Sequence, residues 1–302
     1  MSNKIATLEA VLNALMRRYR ERVPDVRAMV DAMIREQLIY SESEIENDHI
    51  AFRSLGVPCL GIASLEKVFL HLGYTRQDRY DFPTKKLNAY WYAPPAPHYP
   101  RIFLSELRVR ELSEDSRSII RRYTKHIFAD PVDGLDLNDP VAIDGFLHTS
   151  SWPVPRLDDY RSLVAENEYA GWAIYNRYYL NHFTIALNRL PNGYNRVEAF
   201  NGFLERAGFR LNDAGGKVKT SPDGLLLQSS TVARMVEANF AGGHKSELIP
   251  GSYVEFAERR VLPEFAHLAP QDVRREHRRE GFEAGNADKI FESTYSNQVG
   301  KN

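Results

Sequence analysis

The stretch DHIAFRSL (residues 48–55) carries two side chains able to do chemistry on one face of a strand. Strand side chains alternate with period two, so His49, Ala51 and Arg53 share one face and Ile50, Phe52 and Ser54 the other. His49 and Arg53 then stand about 13 Å apart at roughly 3.3 Å per residue. A second histidine, His182, opens the strand-like run NHFTIALN, and SYVEFAER places Tyr253, Glu255 and Ala257 opposite Val254, Phe256 and Glu258. A carboxylate set between Val254 and Phe256 is expected to pair, neutralise or bind metal, because unpaired buried charge is costly. Two histidines and one carboxylate that leave open positions form the facial arrangement of non-haem Fe(II) oxygenases, although imidazole and carboxylate also suit zinc or manganese. On the same face as a ligating histidine, the Arg53 guanidinium can take a carboxylate bidentately, which favours an anionic substrate such as a short dicarboxylate.

Each of these residues also has a plainer reading. Either histidine alone can be a satisfied, half-buried side chain, Glu255 a salt-bridge partner of Arg259, and Arg53 half of a surface ion pair. Glu258 competes with Glu255 as the ligand, because laying SELRV on AERRV aligns it with Glu106. Alternation favours Glu255 and leaves Glu106 as a pseudo-symmetric site residue. Lys85 and Lys86 in FPTKKLNAYWY and Gln228 in LLLQSST are candidate pocket residues, and His244 in AGGHKSEL a candidate loop residue. AGGK (214–217) lacks the Walker spacing and the following Ser or Thr of a phosphate loop.

What favours a shared site is the order of the elements that would carry it. DHIAFRSL is followed by a helix (SLEKVFLHLGY), strands through YDFPTKKLNAYWYAPP and a last strand, RIFLSELRV. NHFTIALN is followed by a helix (RVEAFNGFLERAGF), strands around LNDAGGKVKT and DGLLLQSST, and GSYVEFAERRV. This is one pattern written twice. FLHLGYTR matches FLERAGFRL, each with glycine and then an aromatic where a helix C-cap belongs. His49 precedes Phe69 by 20 residues and His182 precedes Phe203 by 21, so the histidines fall at equivalent places. Residues 7–40 have apolar positions at helical spacing, broken at Pro24, and the region from 110 to about 178 is also read as helical.

Composition narrows the class. The chain has 302 residues, 43% of them hydrophobic, enough for a real core. Lys plus Arg (39) nearly cancels Asp plus Glu (40), so no global field recruits nucleic acid or an anionic membrane. The single cysteine, Cys59, excludes an intramolecular disulfide and thiolate metal clusters, and is expected as a small core residue. The amphipathic start lacks a signal-peptide pattern, and no apolar run reaches the 18 or so residues that span a bilayer, so the cytoplasm is the expected compartment.

DHIAFRSL, FPTKKLNAYWYAPP, IFLSEL, NHFT and SYVEFAER together resemble the 2-oxoadipate dioxygenase/decarboxylase family, related to the vicinal oxygen chelate superfamily of glyoxalases and extradiol dioxygenases. The resemblance implies an α+β fold in which two βαβββ modules form a curved sheet, with added N-terminal and inter-module helices. On that division, residues 1–42 are the N-terminal helices, 43–112 the first module, 113–180 a helical insertion, 181–262 the second module and 263–302 a C-terminal segment. It also implies a mononuclear Fe(II) held by His49, His182 and Glu255, with the family's substrate-binding arginine falling on Arg53. The implied reaction takes 2-oxoadipate and O2 to 2-hydroxyglutarate and CO2 in lysine catabolism. Two other readings stand beside it: a glyoxalase-type isomerase or lyase using zinc or nickel, favoured if Glu106 lies near the metal, and a metal-free small-molecule binding module.

Overall fold

The computed structural model describes residues 2–149, 151–243 and 246–300, so His244 lies outside the described residues. The strands are β1 (Asn47–Leu55), β2 (Thr75–Phe82), β3 (Leu87–Ala93), β4 (Arg101–Leu107), β5 (His182–Ala186), β6 (Lys219–Thr220), β7 (Leu226–Ser230), β8 (Met235–Ala238), β9 (Glu247–Pro250) and β10 (Tyr253–Arg259). All but β8 and β9 form one eight-stranded sheet in the order β2-β3-β4-β1-β5-β10-β7-β6. Each half repeats the same build: the fourth strand returns parallel beside the first, β4 on β1 and β10 on β5. The halves meet where β1 and β5 run antiparallel, with His49 opposite Thr184 and Ala51 opposite His182. These two pairings exchange under a two-fold axis relating 49 to 182 and 51 to 184. The histidines therefore occupy equivalent positions of two βαβββ units, as the sequence pattern predicts.

The α-helices are α1 (Ser2–Arg22), α2 (Pro24–Arg35), α3 (Ile62–His71), α4 (Glu114–Thr124), α5 (Pro140–His148), α6 (Leu157–Glu166), α7 (Glu168–Asn176), α8 (Val197–Arg206), α9 (Ala284–Ile290) and the short α10 (Ser296–Val299). Pro24 separates α1 from α2 and sits in the first turn of α2, where its missing N–H is no loss. α3 and α8 are the crossover helices of the two units. Each ends on a left-handed glycine, Gly73 (φ 97°) or Gly208 (φ 88°). The next residue's N–H then reaches back into the last turn, Tyr74 to the Phe69 carbonyl at 3.0 Å and Phe209 to that of Leu204 at 2.9 Å. Leu204, not Phe203, is thus the counterpart of Phe69.

The two faces of the sheet have different work. On the outer face Phe52 packs on Phe69 of α3, ring centroids 5.5 Å apart, and Phe256 on Phe200 of α8 at 5.2 Å. Fully buried rings of this kind contribute roughly 1.5–3 kcal/mol each, and they fix which residues of β1 and β10 face inward. The concave face then receives His49, Arg53, His182 and Glu255, all buried.

Three features depart from the sequence expectation. LNDAGGKVKT yields only the two-residue β6 and an isolated bridge from Leu211 to Thr231, because Gly215 and Gly216 turn the chain at positive φ. The β8–β9 hairpin is inserted between β7 and β10. Cys59 is half-buried in the loop after β1, at φ 64°, and is not a core residue. The C-terminal stretch folds back over the concave face, bringing Phe282, α9 and the short 3-10 helix Phe291–Thr294 against the inward side chains.

Candidate metal centre

His49 of β1, His182 of β5 and Glu255 of β10 are 1%, 5% and 1% exposed, and one ligating atom of each lies within 4.8 Å of the other two. His182 Nε2 is 3.1 Å from Glu255 Oε2, His49 Nε2 is 3.4 Å from Glu255 Oε1, and the two Nε2 atoms are 3.3 Å apart. No other group of three His, Cys, Asp or Glu with metal-holding geometry occurs among the described residues.

Neighbours orient both imidazoles. His49 Nδ1 lies 2.8 Å from Asp48 Oδ1 and His182 Nδ1 3.2 Å from Asn181 Oδ1. An N–H donated from Nδ1 leaves Nε2 as the ligating atom on both rings. Strict alternation would aim Asp48 away from His49, but the β1–β5 register shifts between Asn47 and His49, a bulge that re-aims side chains. Asp48 accepts from Arg259 Nε and Nη2 (2.7 and 2.9 Å) and from Arg101 Nη1 (3.1 Å).

The electrostatics suit a cation. Burial pulls the His49 pKa down, but Glu255 and Asp48 outweigh it and leave the group above its ordinary value. His182 lies well below its ordinary value, through burial first and then the charges of His49 and Arg53. Burial pushes Asp48 up, yet Arg259 and Arg101 overcome this and hold its carboxyl well below the usual range. Two imidazoles, one of them kept neutral, and a carboxylate aimed at one point match the donors of a divalent ion. Asp48→Asn is expected to lower metal affinity by about 10–100-fold, the usual cost of losing a ligand's hydrogen-bonded carboxylate. Competition with a chromophoric chelator measures it, and an unchanged affinity would remove Asp48 from the centre.

A small cavity adjoins the cluster, walled by Phe103, Tyr253, Gln228, Phe282, Ile290 and Phe291. Gln228 Nε2 donates to Glu255 Oε1 at 2.6 Å, and Asn286 Nδ2 donates to Gln228 Oε1 at 3.0 Å, so the carboxylate is held from β7 and α9. Arg53 is 1% exposed. Its Nη1 donates to Thr294 Oγ1 (2.9 Å) and its Nη2 to the Phe291 carbonyl (3.0 Å), while Tyr169 and Trp172 of α7 lie 5.0 and 4.9 Å from the guanidinium carbon. No carboxylate among the described residues pairs with it.

Glu106 and Lys86 do not join this group. Glu106 pairs in register with Ser54, on the face opposite His49. Its carboxylate accepts the Ile62 N–H at the start of α3 at 2.8 Å, and burial pushes its pKa up. Glu258 does the same for α8, accepting the Val197 N–H at 3.0 Å. The alignment of SELRV with AERRV therefore identifies two helix-start carboxylates, favourably placed at the positive end of each helix. The position equivalent to Glu255 is Phe103. Lys86 sits in the β2–β3 turn at φ 58°, with Nζ 3.6 Å from Glu166 of α6. Arg259 serves Asp48, not Glu255. Asp48 and Asn181 were missed by the sequence reading, although an Asp or Asn directly before each histidine was a legible signal. The C-terminal wall left none.

The sequence model of the 2-oxoadipate dioxygenase/decarboxylase family matches residues 11–269. The chain belongs to that family. It is 40% identical to the chloroplastic 2-oxoadipate dioxygenase/decarboxylase of Arabidopsis thaliana, over 99% of this chain and 81% of that protein. It is 42% identical to the chloroplastic/amyloplastic enzyme of the same name from Oryza sativa subsp. japonica, over 96% and 79%. Among solved structures, the hydroxyglutarate synthase of Oryza sativa in complex with 2-oxoadipate superposes with a TM-score of 0.90 at 40% identity, covering 100% of this chain and 96% of that one. A glyoxalase-superfamily protein of Ralstonia eutropha JMP134 shares the fold, with a TM-score of 0.72 at 22% identity over 93% and 87%. Family membership thus coincides with a buried cluster of two histidines and a glutamate on a glyoxalase-like sheet.

Proposed function

We propose that the protein is an Fe(II)-dependent dioxygenase/decarboxylase that converts 2-oxoadipate and O2 to 2-hydroxyglutarate and CO2, a step of lysine catabolism. The observation that carries this reading is a buried two-histidine, one-carboxylate cluster sharing a concave face with Arg53, a buried cation paired with no carboxylate among the described residues. A dicarboxylic 2-oxo acid supplies what each end lacks: oxygen donors for a metal at one end and an anion for the guanidinium at the other. Fe(II) held by His49, His182 and Glu255 would supply the redox chemistry toward O2, with the substrate as its own reductant. The remaining residues orient and exclude. Asp48 and Asn181 fix the rings, Gln228 fixes the Glu255 carboxylate, and Phe103, Phe282, Ile290 and Phe291 keep bulk water from the reacting atoms.

A glyoxalase-type isomerase would be favoured by a second carboxylate at the metal, and Glu106, the candidate for it, faces the other side of the sheet. The deciding experiment is O2 uptake by anaerobically Fe(II)-loaded protein given 2-oxoadipate, with CO2 and 2-hydroxyglutarate followed together. Equimolar O2 consumption, CO2 release and product formation are expected; iron-loaded protein that consumes no O2 with this acid would refute the assignment. No described helix is long and apolar enough to cross a membrane. Cytoplasmic placement is part of the proposal, and cell fractionation checks it.

A further inference from the structure

A second charged hollow lies at the end of β1 away from Arg53. It is a cavity of about 100 Å³ walled by Glu46, Asp48 and six arginines. At roughly 10–15 Å³ per water, that is room for several waters or one small ion. Register gives its place: Arg101 stands opposite His49 across β4 and β1, and Arg259 ends β10, on the same face as Glu255. Asp48 and the Phe282 ring divide the hollow from the metal cluster. That ring lies 4.7 Å from His49 and 5.5 Å from the Arg259 guanidinium carbon.

The carboxylates around the hollow are already committed. Asp48 accepts from Arg259, Arg101 and the His49 ring together. Glu280 takes two hydrogen bonds from Arg101 and stands 4.0 Å from Arg275. Glu46 pairs with Arg189 at 2.8 Å. Among the described residues neither Arg274 nor Arg278 forms an ion pair with a carboxylate, and Arg278 Nη1 donates instead to the Arg259 carbonyl at 2.9 Å. Arg275 Nη1 likewise spends its hydrogens on the neutral carbonyls of Pro97 and Tyr99. Burial, and next the charge of Arg101, pulls the Arg275 pKa below its ordinary value. Guanidiniums gathered around one hollow without anions to match them repel one another, and the cost grows as water is excluded.

We propose that this hollow is a binding site for a small tetrahedral oxyanion of the sulfate or phosphate class, held by Arg274, Arg275 and Arg278. The planar fork of a guanidinium matches the oxygens of such an ion, and each contact is a charge-assisted hydrogen bond. One dianion would offset the unmatched cations at a single point. The size of the hollow suits the free ion and not an ester with a large organic body. Arg274 is exposed, so the ion enters from solvent without passing the metal cluster. The site is separate from the proposed reaction and does not depend on it.

The test is calorimetric titration of the iron-loaded, full-length protein with sodium sulfate, with ionic strength held constant by sodium chloride. Saturable binding at one site is expected, with a Kd of about 1 mM or tighter. Arg278→Gln should bind sulfate about tenfold more weakly, the scale of a hydrogen bond to a charged group. Arg274→Gln should bind it about threefold more weakly, as befits an exposed charge. This second variant breaks no ion pair and should melt as the wild type does, so it keeps the test readable if Arg278→Gln folds poorly. Glu255→Ala protein, expected to lack iron, should bind sulfate like the wild type. No saturable binding to the wild type, unchanged affinity in Arg274→Gln and Arg278→Gln, or binding lost together with the iron would each overturn the assignment, and all three would leave the proposed function standing.

Discussion

Glu255→Ala and His182→Ala are expected to yield folded proteins that no longer retain iron and have no measurable turnover. Losing a carboxylate that only orients a ligand costs about 10–100-fold in metal affinity, so losing a ligand itself should cost more. Without Glu255, two imidazoles would have to hold a dication in a buried site with no anionic ligand. The fold should survive, because the outward side chains Val254 and Phe256 remain packed and the deleted group is a buried charge. The local cost is the unsatisfied Gln228 amide, which has Glu255 Oε1 as its acceptor at 2.6 Å, about 1–3 kcal/mol. Metal content after desalting reads the effect directly, and melting temperature with and without Fe(II) reads it independently. A ligand at 100 times its Kd stabilises the native state by about 2.7 kcal/mol, a gain the wild type should show and both variants lack. The proton is the competitor. Because Glu255 and Asp48 outweigh burial and hold the His49 pKa above its ordinary value, the affinity of the wild type for Fe(II) should weaken as the pH falls through that raised pKa and the ring takes up a proton. Iron held at wild-type stoichiometry in both variants would sink the ligand assignment.

The centre was legible in the sequence because strand alternation and repetition are local rules. His49, His182 and Glu255 could be put on inward faces by parity alone, and the repeat placed the histidines on equivalent strands. Gln228 was legible for the same reason. Alternation also misled. It has no way to see the bulge between Asn47 and His49, which brings Asp48 beside the His49 ring, so Asp48 was missed. Glu106 was taken into the pocket on the alignment of SELRV with AERRV, which pairs it with Glu258, and both carboxylates cap a helix on the outer face. Phe282, Asn286, Ile290 and Phe291 reach the site through the path of the last forty residues, which carries no periodic signal. Their role is a property of tertiary packing alone.

Arg53→Met should retain iron, bind 2-oxoadipate far more weakly, and be at least as stable as the wild type. The three expectations come from one fact. The guanidinium is 1% exposed, hydrogen-bonded to the Thr294 hydroxyl and the Phe291 carbonyl, and set among Tyr169, Trp172 and Phe291. Burying a cation without an anion carries a desolvation cost that neutral acceptors only partly offset. Contacts with aromatic faces return about 2 kcal/mol when desolvated. Replacing buried ionic groups by apolar side chains of similar volume is often neutral or stabilising by about 1–4 kcal/mol, and methionine fills irregular space well. The ligand changes the sign. Once a carboxylate arrives, the pair is buried and mutually compensated, and truncating one member of such a pair costs about 2–5 kcal/mol, a loss of roughly 30- to 4,000-fold in affinity at 1.4 kcal/mol per factor of ten. Melting curves and anaerobic titration with 2-oxoadipate on the same preparations separate the cases. A variant that melts lower and binds as before would make Arg53 a structural residue. One that melts no lower and fails to bind would show a charge kept at the expense of stability for the substrate it receives, the trade-off expected where a binding site is built in advance of its ligand.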